Sequence, residues 1–127
     1  MKKHYKNLEG KSFGILGLSF KPNTDDIREA PSIDVIKSLI KLGAKVKVYD
    51  PVAMENIWKI FGSKIDYAED VYEVAEGCDG LILMTEWDDF KQIDFKKLEK
   101  TMKERVVFDC RNFFSLPPRF AYYGFGV

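Results

Sequence analysis

The side chains most used for metal binding and nucleophilic catalysis are scarce here: 127 residues hold one histidine, His4, and two cysteines, Cys78 and Cys110. His4 lies in the polar opening MKKHYKNLEGK, so a multi-histidine metal site is excluded and a hydrolase triad with a histidine base is disfavoured. The cysteines are too few and too far apart to suggest a disulfide framework or a zinc site, and no metal is expected. No apolar stretch approaches the roughly 18 residues that a membrane span needs. The opening segment has no apolar region behind its basic residues, unlike a secretory signal, and a cytoplasmic domain is expected. Charge of one sign is also lacking, because twenty basic residues balance twenty acidic ones. No net field favours nucleic acid or an anionic membrane, so neither is expected as a partner. Any bound anion must be held by a few placed residues.

What is present is the mix of a soluble globular domain, 46% hydrophobic and 31% charged, at a length that suits one domain. Two periodicities alternate along it. Residues 12–17 (SFGILG) form a short apolar run closed by glycine, which reads as a buried strand. Ile33, Ile36, Leu39 and Ile40 then mark a helical face over residues 31–42, with Pro31 in its first turn and Gly43 at its end. Residues 44–49 (AKVKVY) return to strand-like alternation. Asp50-Pro51 is expected to open a second helix as N-cap and first-turn proline, and Gly62 to close it.

Residues 65–67 read as a third strand. Asp70 and Glu73 suggest a capping box for a helix with Val71, Val74 and Ala75 inward. The most apolar run, residues 80–84 (GLILM), predicts a central strand covered on both faces. Phe95, Leu98 and Met102 mark a helix starting near Asp94, residues 106–108 a fifth strand, and Tyr122-Tyr123 an optional sixth. Strands of this kind alternating with helices predict an α/β fold, a Rossmann-like doubly wound parallel sheet of five to six strands in a single domain. Residues 1–10 are expected to be a leader, the remnant of an inter-domain helix, and residues 11–127 the domain itself.

One long irregular stretch breaks the alternation, residues 18–30 after the first strand. In open α/β sheets ligands sit beside the carboxyl ends of the strands, where strand order reverses, and this loop leads there. It is long for a βα connection, and such loops tend to carry function. Lys21 and Arg28 could meet phosphate, while Asp25, Asp26 and Glu29 could orient those cations or merely neutralise them. The ordinary dinucleotide fingerprint is missing, for Gly14 and Gly17 give G-x-x-G with no third glycine. Asp50 falls where a ribose-binding acid would lie, but an N-cap ahead of Pro51 is the favoured reading.

The run Gly17-Leu18-Ser19-Phe20-Lys21-Pro22-Asn23-Thr24-Asp25-Asp26-Ile27-Arg28-Glu29-Ala30-Pro31-Ser32 closely resembles a signature of the UDP-glucose/GDP-mannose dehydrogenase family. Tyr49-Asp50-Pro51, Thr85-Glu86-Trp87 with Phe90, Phe108-Asp109-x-Arg111-Asn112 and the closing Tyr123-Gly124-Phe125-Gly126 agree in order and spacing. The Asn-Thr-Asp-Asp and Ala-Pro-Ser choices look most like the UDP-glucose 6-dehydrogenases of the family. This resemblance implies a division of labour: an N-terminal domain for NAD, a central helical region with a catalytic cysteine, and a C-terminal Rossmann-like domain for the UDP-sugar. The implied reaction oxidises the sugar's C6 alcohol to a carboxylate with two NAD, through a thiohemiacetal on that cysteine. NAD would be bound mainly by domains that this sequence does not contain, and the full enzyme would be a homo-oligomer.

Carried over residue by residue, the resemblance implies that Phe20 and Lys21 line the UDP-sugar site, that Arg111 contacts UDP, and that Arg28 reaches toward NAD on another domain. The chemistry suits those roles. An arginine offers pyrophosphate a planar bidentate fork, and a lysine is a compact charge suited to a sugar hydroxyl. Without the resemblance, Arg111 would read as a strand-end salt bridge with Asp109. Cys110 departs from the glycine usual in the family, and a side chain there could crowd a tight turn. No base adjoins it, so a catalytic role is not expected. Cys78 follows a helix end, Glu76-Gly77, and is expected to be a small packed residue. A stand-alone nucleotide-binding or regulatory module and a non-catalytic assembly domain stay open as alternatives to the substrate-binding domain of a dehydrogenase.

Overall fold

A computed structural model of the chain describes residues 8–19, 30–85, 87, 90, 93–104 and 106–109, with the backbone alone of 121–124. Six parallel strands form one sheet: β1 (Ser12–Leu16), β2 (Lys45–Tyr49), β3 (Asp66–Tyr67), β4 (Gly80–Leu83), β5 (Val106–Asp109) and β6 (Ala121–Gly124). Their order is β3-β2-β1-β4-β5-β6, the doubly wound arrangement predicted from the alternation. Among the described residues four α-helices lie between successive strands from β1 to β5: α1 (Pro31–Lys41), α2 (Met54–Phe61), α3 (Val71–Ala75) and α4 (Phe95–Thr101).

Period-two alternation along the inner strands builds two cores, one on each face of the sheet. Phe13, Ile15, Val46, Val48, Ile82, Met84, Val106 and Phe108 pack with Ile36 and Leu39 of α1 and with Ile57 and Phe61 of α2. Leu16, Leu81, Leu83 and Val107 pack on the other face with Val71, Val74 and Ala75 of α3 and Leu98 of α4. Strands covered on both sides have no wet face, which is why β4 is an unbroken apolar run. Leu8 is also buried in the first core, so the end of the opening segment packs against the domain.

Capping follows the sequence closely at two helices. The Asp70 carboxylate accepts from the Glu73 N–H at 2.8 Å, and Asp94 accepts from Lys96 and Lys97. At α2 the expectation needs correcting. The helix begins at Met54 with Ala53 as its N-cap, not at Asp50-Pro51. Asp50 instead folds a turn ahead of the helix, its Oδ1 accepting from the Val52 and Ala53 N–H groups at 2.9 and 2.8 Å. An aspartate followed by a proline can do either, because the same carboxylate reaches N–H groups two and three residues on.

Two glycines set how closely the elements approach. A Cβ on Gly14 would lie 2.6 Å from the Val74 carbonyl oxygen, so α3 rests directly on β1. A Cβ on Gly17 would lie 2.5 Å from Thr85 Cβ and 2.7 Å from its backbone nitrogen, and Gly17 has a φ of +87°. The exit of β1 and the exit of β4 therefore touch at Gly17.

Cys78 lies under α3, 2% exposed, and burial pushes its thiol from 9.0 up to about 12. Backbone hydrogen bonds at Gly14 and Gly80 and the Lys47 charge pull it down, whereas the Asp79 carboxylate pushes it up, and desolvation outweighs them. The packed role expected from the sequence is what is found. Because the folded thiol keeps its proton where the unfolded one would release it, this stabilisation is whole below pH 9.0 and disappears as pH climbs towards about 12. Its full size is on the order of 4 kcal/mol. Iodoacetamide at neutral pH is expected to leave Cys78 unlabelled in the folded chain and to label it fully in urea, as read by peptide mass spectrometry. Equal labelling in both states would place the thiol at the surface.

Candidate functional site

Strand order reverses between β1 and β4, so the crevice of the fold lies at their carboxyl ends. Backbone hydrogen bonds tie those ends together: Gly17 N–H donates to the Tyr49 carbonyl and Met84 N–H to the Leu16 carbonyl, both at 2.9 Å. Just beyond them the chain continues into residues 20–29, after β1, and residues 110–120, after β5. Phe20, Lys21, Arg28, Arg111 and Cys110 lie on these segments, outside the described residues. The topology brings their stems to one edge, since β1 and β5 both pair with β4.

The described floor of the crevice is organised by Asp50, which is 1% exposed at the end of β2. Its Oδ2 accepts from Leu18 N–H at 2.7 Å, Ser19 N–H at 3.4 Å and the Trp87 indole N–H at 3.2 Å. With Oδ1 engaged by Val52 and Ala53, one carboxylate gathers five N–H groups from three strand exits. Two hydroxyls complete the arrangement. Thr85 Oγ1 donates to the Ser19 carbonyl at 2.5 Å, and Ser32 Oγ, in the first turn of α1, donates to the Leu18 carbonyl at 2.6 Å. Ser32 thus joins the two stems of segment 20–29, because it follows that segment while Leu18 precedes it.

These residues bear on the missing dinucleotide fingerprint. An acid at the end of the second strand of an NAD-binding unit turns outward to a ribose hydroxyl. Here that position points inward and its acceptor capacity is taken by main-chain and indole donors. The described residues therefore do not fit NAD in the ordinary mode of this fold. Sequence reading found Asp50 but gave it only its local partners. Ser32, Thr85 and Trp87 appeared there as parts of a signature without roles, and nothing in a single sequence pairs them with positions 18 and 19. Among the described residues no group of three or more His, Cys, Asp or Glu could hold a metal ion, and no helix is long and apolar enough to cross a membrane.

A doubly wound parallel sheet whose strand-end acid is turned inward defines a Rossmann-like domain without the ordinary dinucleotide site. Residues 14–116 match the family described as "UDP-glucose/GDP-mannose dehydrogenase family, UDP binding domain", and the chain belongs to that family. It is 41% identical over 110 residues to UDP-glucose 6-dehydrogenase TuaD of Bacillus subtilis, covering 87% of this chain and 24% of that protein. With the UDP-glucose 6-dehydrogenase of Rhizobium meliloti the identity is 44% over 108 residues, covering 85% and 24%. Among solved structures, a UDP-glucose dehydrogenase from the hyperthermophilic archaeon Pyrobaculum islandicum superposes with a TM-score of 0.84 at 33% identity, covering 97% of this chain and 27% of that one. The chain thus spans about a quarter of the length of these relatives.

Proposed function

We propose that this chain is the nucleotide-sugar-binding domain of an NAD-dependent UDP-glucose 6-dehydrogenase, which converts UDP-glucose to UDP-glucuronate. The observation that carries this reading is the match of residues 14–116 to a UDP binding domain, on a fold where Asp50, Ser32 and Thr85 clamp Leu18 and Ser19 just ahead of the rest of the signature run. Phe20 and Lys21 line the sugar side, Arg111 grips the pyrophosphate, and Arg28 reaches NAD held mainly by domains outside this chain. Those domains, the NAD-binding one and the central helical one, are its partners in a cytoplasmic, homo-oligomeric enzyme.

Arg111 offers the sharpest test. A hydrogen bond to a charged group contributes about 1.5–3 kcal/mol, so Arg111→Ala is expected to weaken UDP binding roughly ten- to a hundredfold. Arg111→Lys should recover only part of that loss, because an ammonium cannot make the paired contact. Cys110→Gly should bind as well as the unmodified chain or better. If Arg111→Ala binds UDP unchanged in calorimetric titration, with its circular dichroism intact, Arg111 is a surface charge and the assignment falls.

A further inference from the structure

We propose that Asp50 is a positioning residue for the substrate loop: its carboxylate fixes the stem from which residues 20–29 depart, and Trp87, Thr85 and Ser32 complete the clamp. The inference rests on the reading of that loop as the UDP-sugar loop.

Geometry singles out a carboxylate at this position. Five N–H groups converge on Asp50, three on Oδ2 and two on Oδ1. Only a group that accepts at both of its ends satisfies them, and an amide of the same shape would turn an NH₂ towards N–H donors on one side. The three partners on Oδ2 come from positions 18, 19 and 87, so the carboxylate joins the exit of β1 to the segment after β4. All three lie in a buried environment, where a donor left without an acceptor is costly. The two carbonyls of the same stem are held as well, Leu18 by Ser32 and Ser19 by Thr85. Every described main-chain polar group of Leu18 and Ser19 therefore has a partner, and none of those partners is within ten residues along the chain. Ser19, the last described residue before Phe20, is thus tied by tertiary contacts to Asp50 and Thr85.

Asp50 consequently acts on ligand through Phe20 and Lys21 and touches no ligand itself. Two measurements on the whole chain test this. Amide hydrogen exchange by NMR, without ligand, reads the clamp directly. Asp50→Asn should lose protection at Leu18 and Ser19 while the amides of β1 and β4 keep theirs. Calorimetric titration of UDP reads the consequence, an affinity lower by about tenfold or more. Thr85→Val keeps the shape and removes one hydroxyl. It should lower affinity by a smaller factor, about threefold to tenfold, and it decides the question through the same two readouts if Asp50→Asn does not fold. Unchanged protection at Leu18 and Ser19 overturns the proposal, as does loss of protection throughout the sheet, which would make Asp50 a general stabiliser. Selective loss of protection with unaltered UDP affinity also overturns it. A chain that binds no UDP before any substitution sinks the functional reading instead, and the exchange pattern still decides whether Asp50 is the clamp.

Discussion

Gly17→Ala is expected to leave the chain largely unfolded near its present melting temperature, the largest stability loss of any single methyl group at the described glycines. Two costs add at this position. The backbone has a φ of +87°, which an alanine adopts at an expense of about 1–3 kcal/mol. The new Cβ would also lie 2.7 Å from the Thr85 backbone nitrogen and 2.5 Å from its Cβ. No rotamer change relieves a clash with main chain, and moving Thr85 breaks its bond to the Ser19 carbonyl. Together these reach ~4 kcal/mol against a total stability of about 5–15 kcal/mol, a fall in Tm on the order of 15 °C. Gly10→Ala is the internal control. Its φ is +77° but nothing lies within 4 Å of an added Cβ, so it should lose only the conformational part, about 1 kcal/mol. Urea melts of the two variants with equal midpoints would show that the Gly17–Thr85 contact has room to spare.

The second large effect is all-or-none. Incubated with UDP-glucose and NAD and no other protein, the chain is expected to form no NADH. Hydride transfer needs a dinucleotide site, and Gly14 and Gly17 do not make the fingerprint while Asp50 is committed to internal donors. Oxidation through to a carboxylate also needs a nucleophile. Cys78 is buried with its thiol pushed up to about 12, so it holds its proton at any pH where the enzyme would work. NADH appearing at a rate proportional to chain concentration, followed by its near-ultraviolet absorbance, would require a nucleotide site and a nucleophile within these 127 residues and would overturn the assignment.

Much of the fold was legible because it follows from local rules. The apolar run at residues 80–84 had no wet face and became the central β4, and Asp70 and Asp94 capped the helices they precede. The inward residues of α3 were read as found, because a helix on a sheet shows its buried side in its spacing. Asp50 was only half legible. Its neighbours Val52 and Ala53 are two and three residues away, but Leu18, Ser19 and Trp87 are 31 to 37 residues distant, and no periodicity records such a pairing. The start of α2 was misplaced for the same reason, since a carboxylate also engaged by a distant strand exit tightens a turn before the helix instead of capping it. Phe20, Lys21, Arg28 and Arg111 came from the signature and from charge chemistry, and they lie outside the described residues.

Calorimetric titration of UDP and of NAD into the same purified chain tests the central claim most directly. A nucleotide-sugar-binding domain with an inward-turned strand-end acid should bind UDP saturably, with UDP-glucose at least as tight, and should give no heat with NAD beyond dilution. Saturable binding of NAD together with silence towards UDP and UDP-glucose would contradict it.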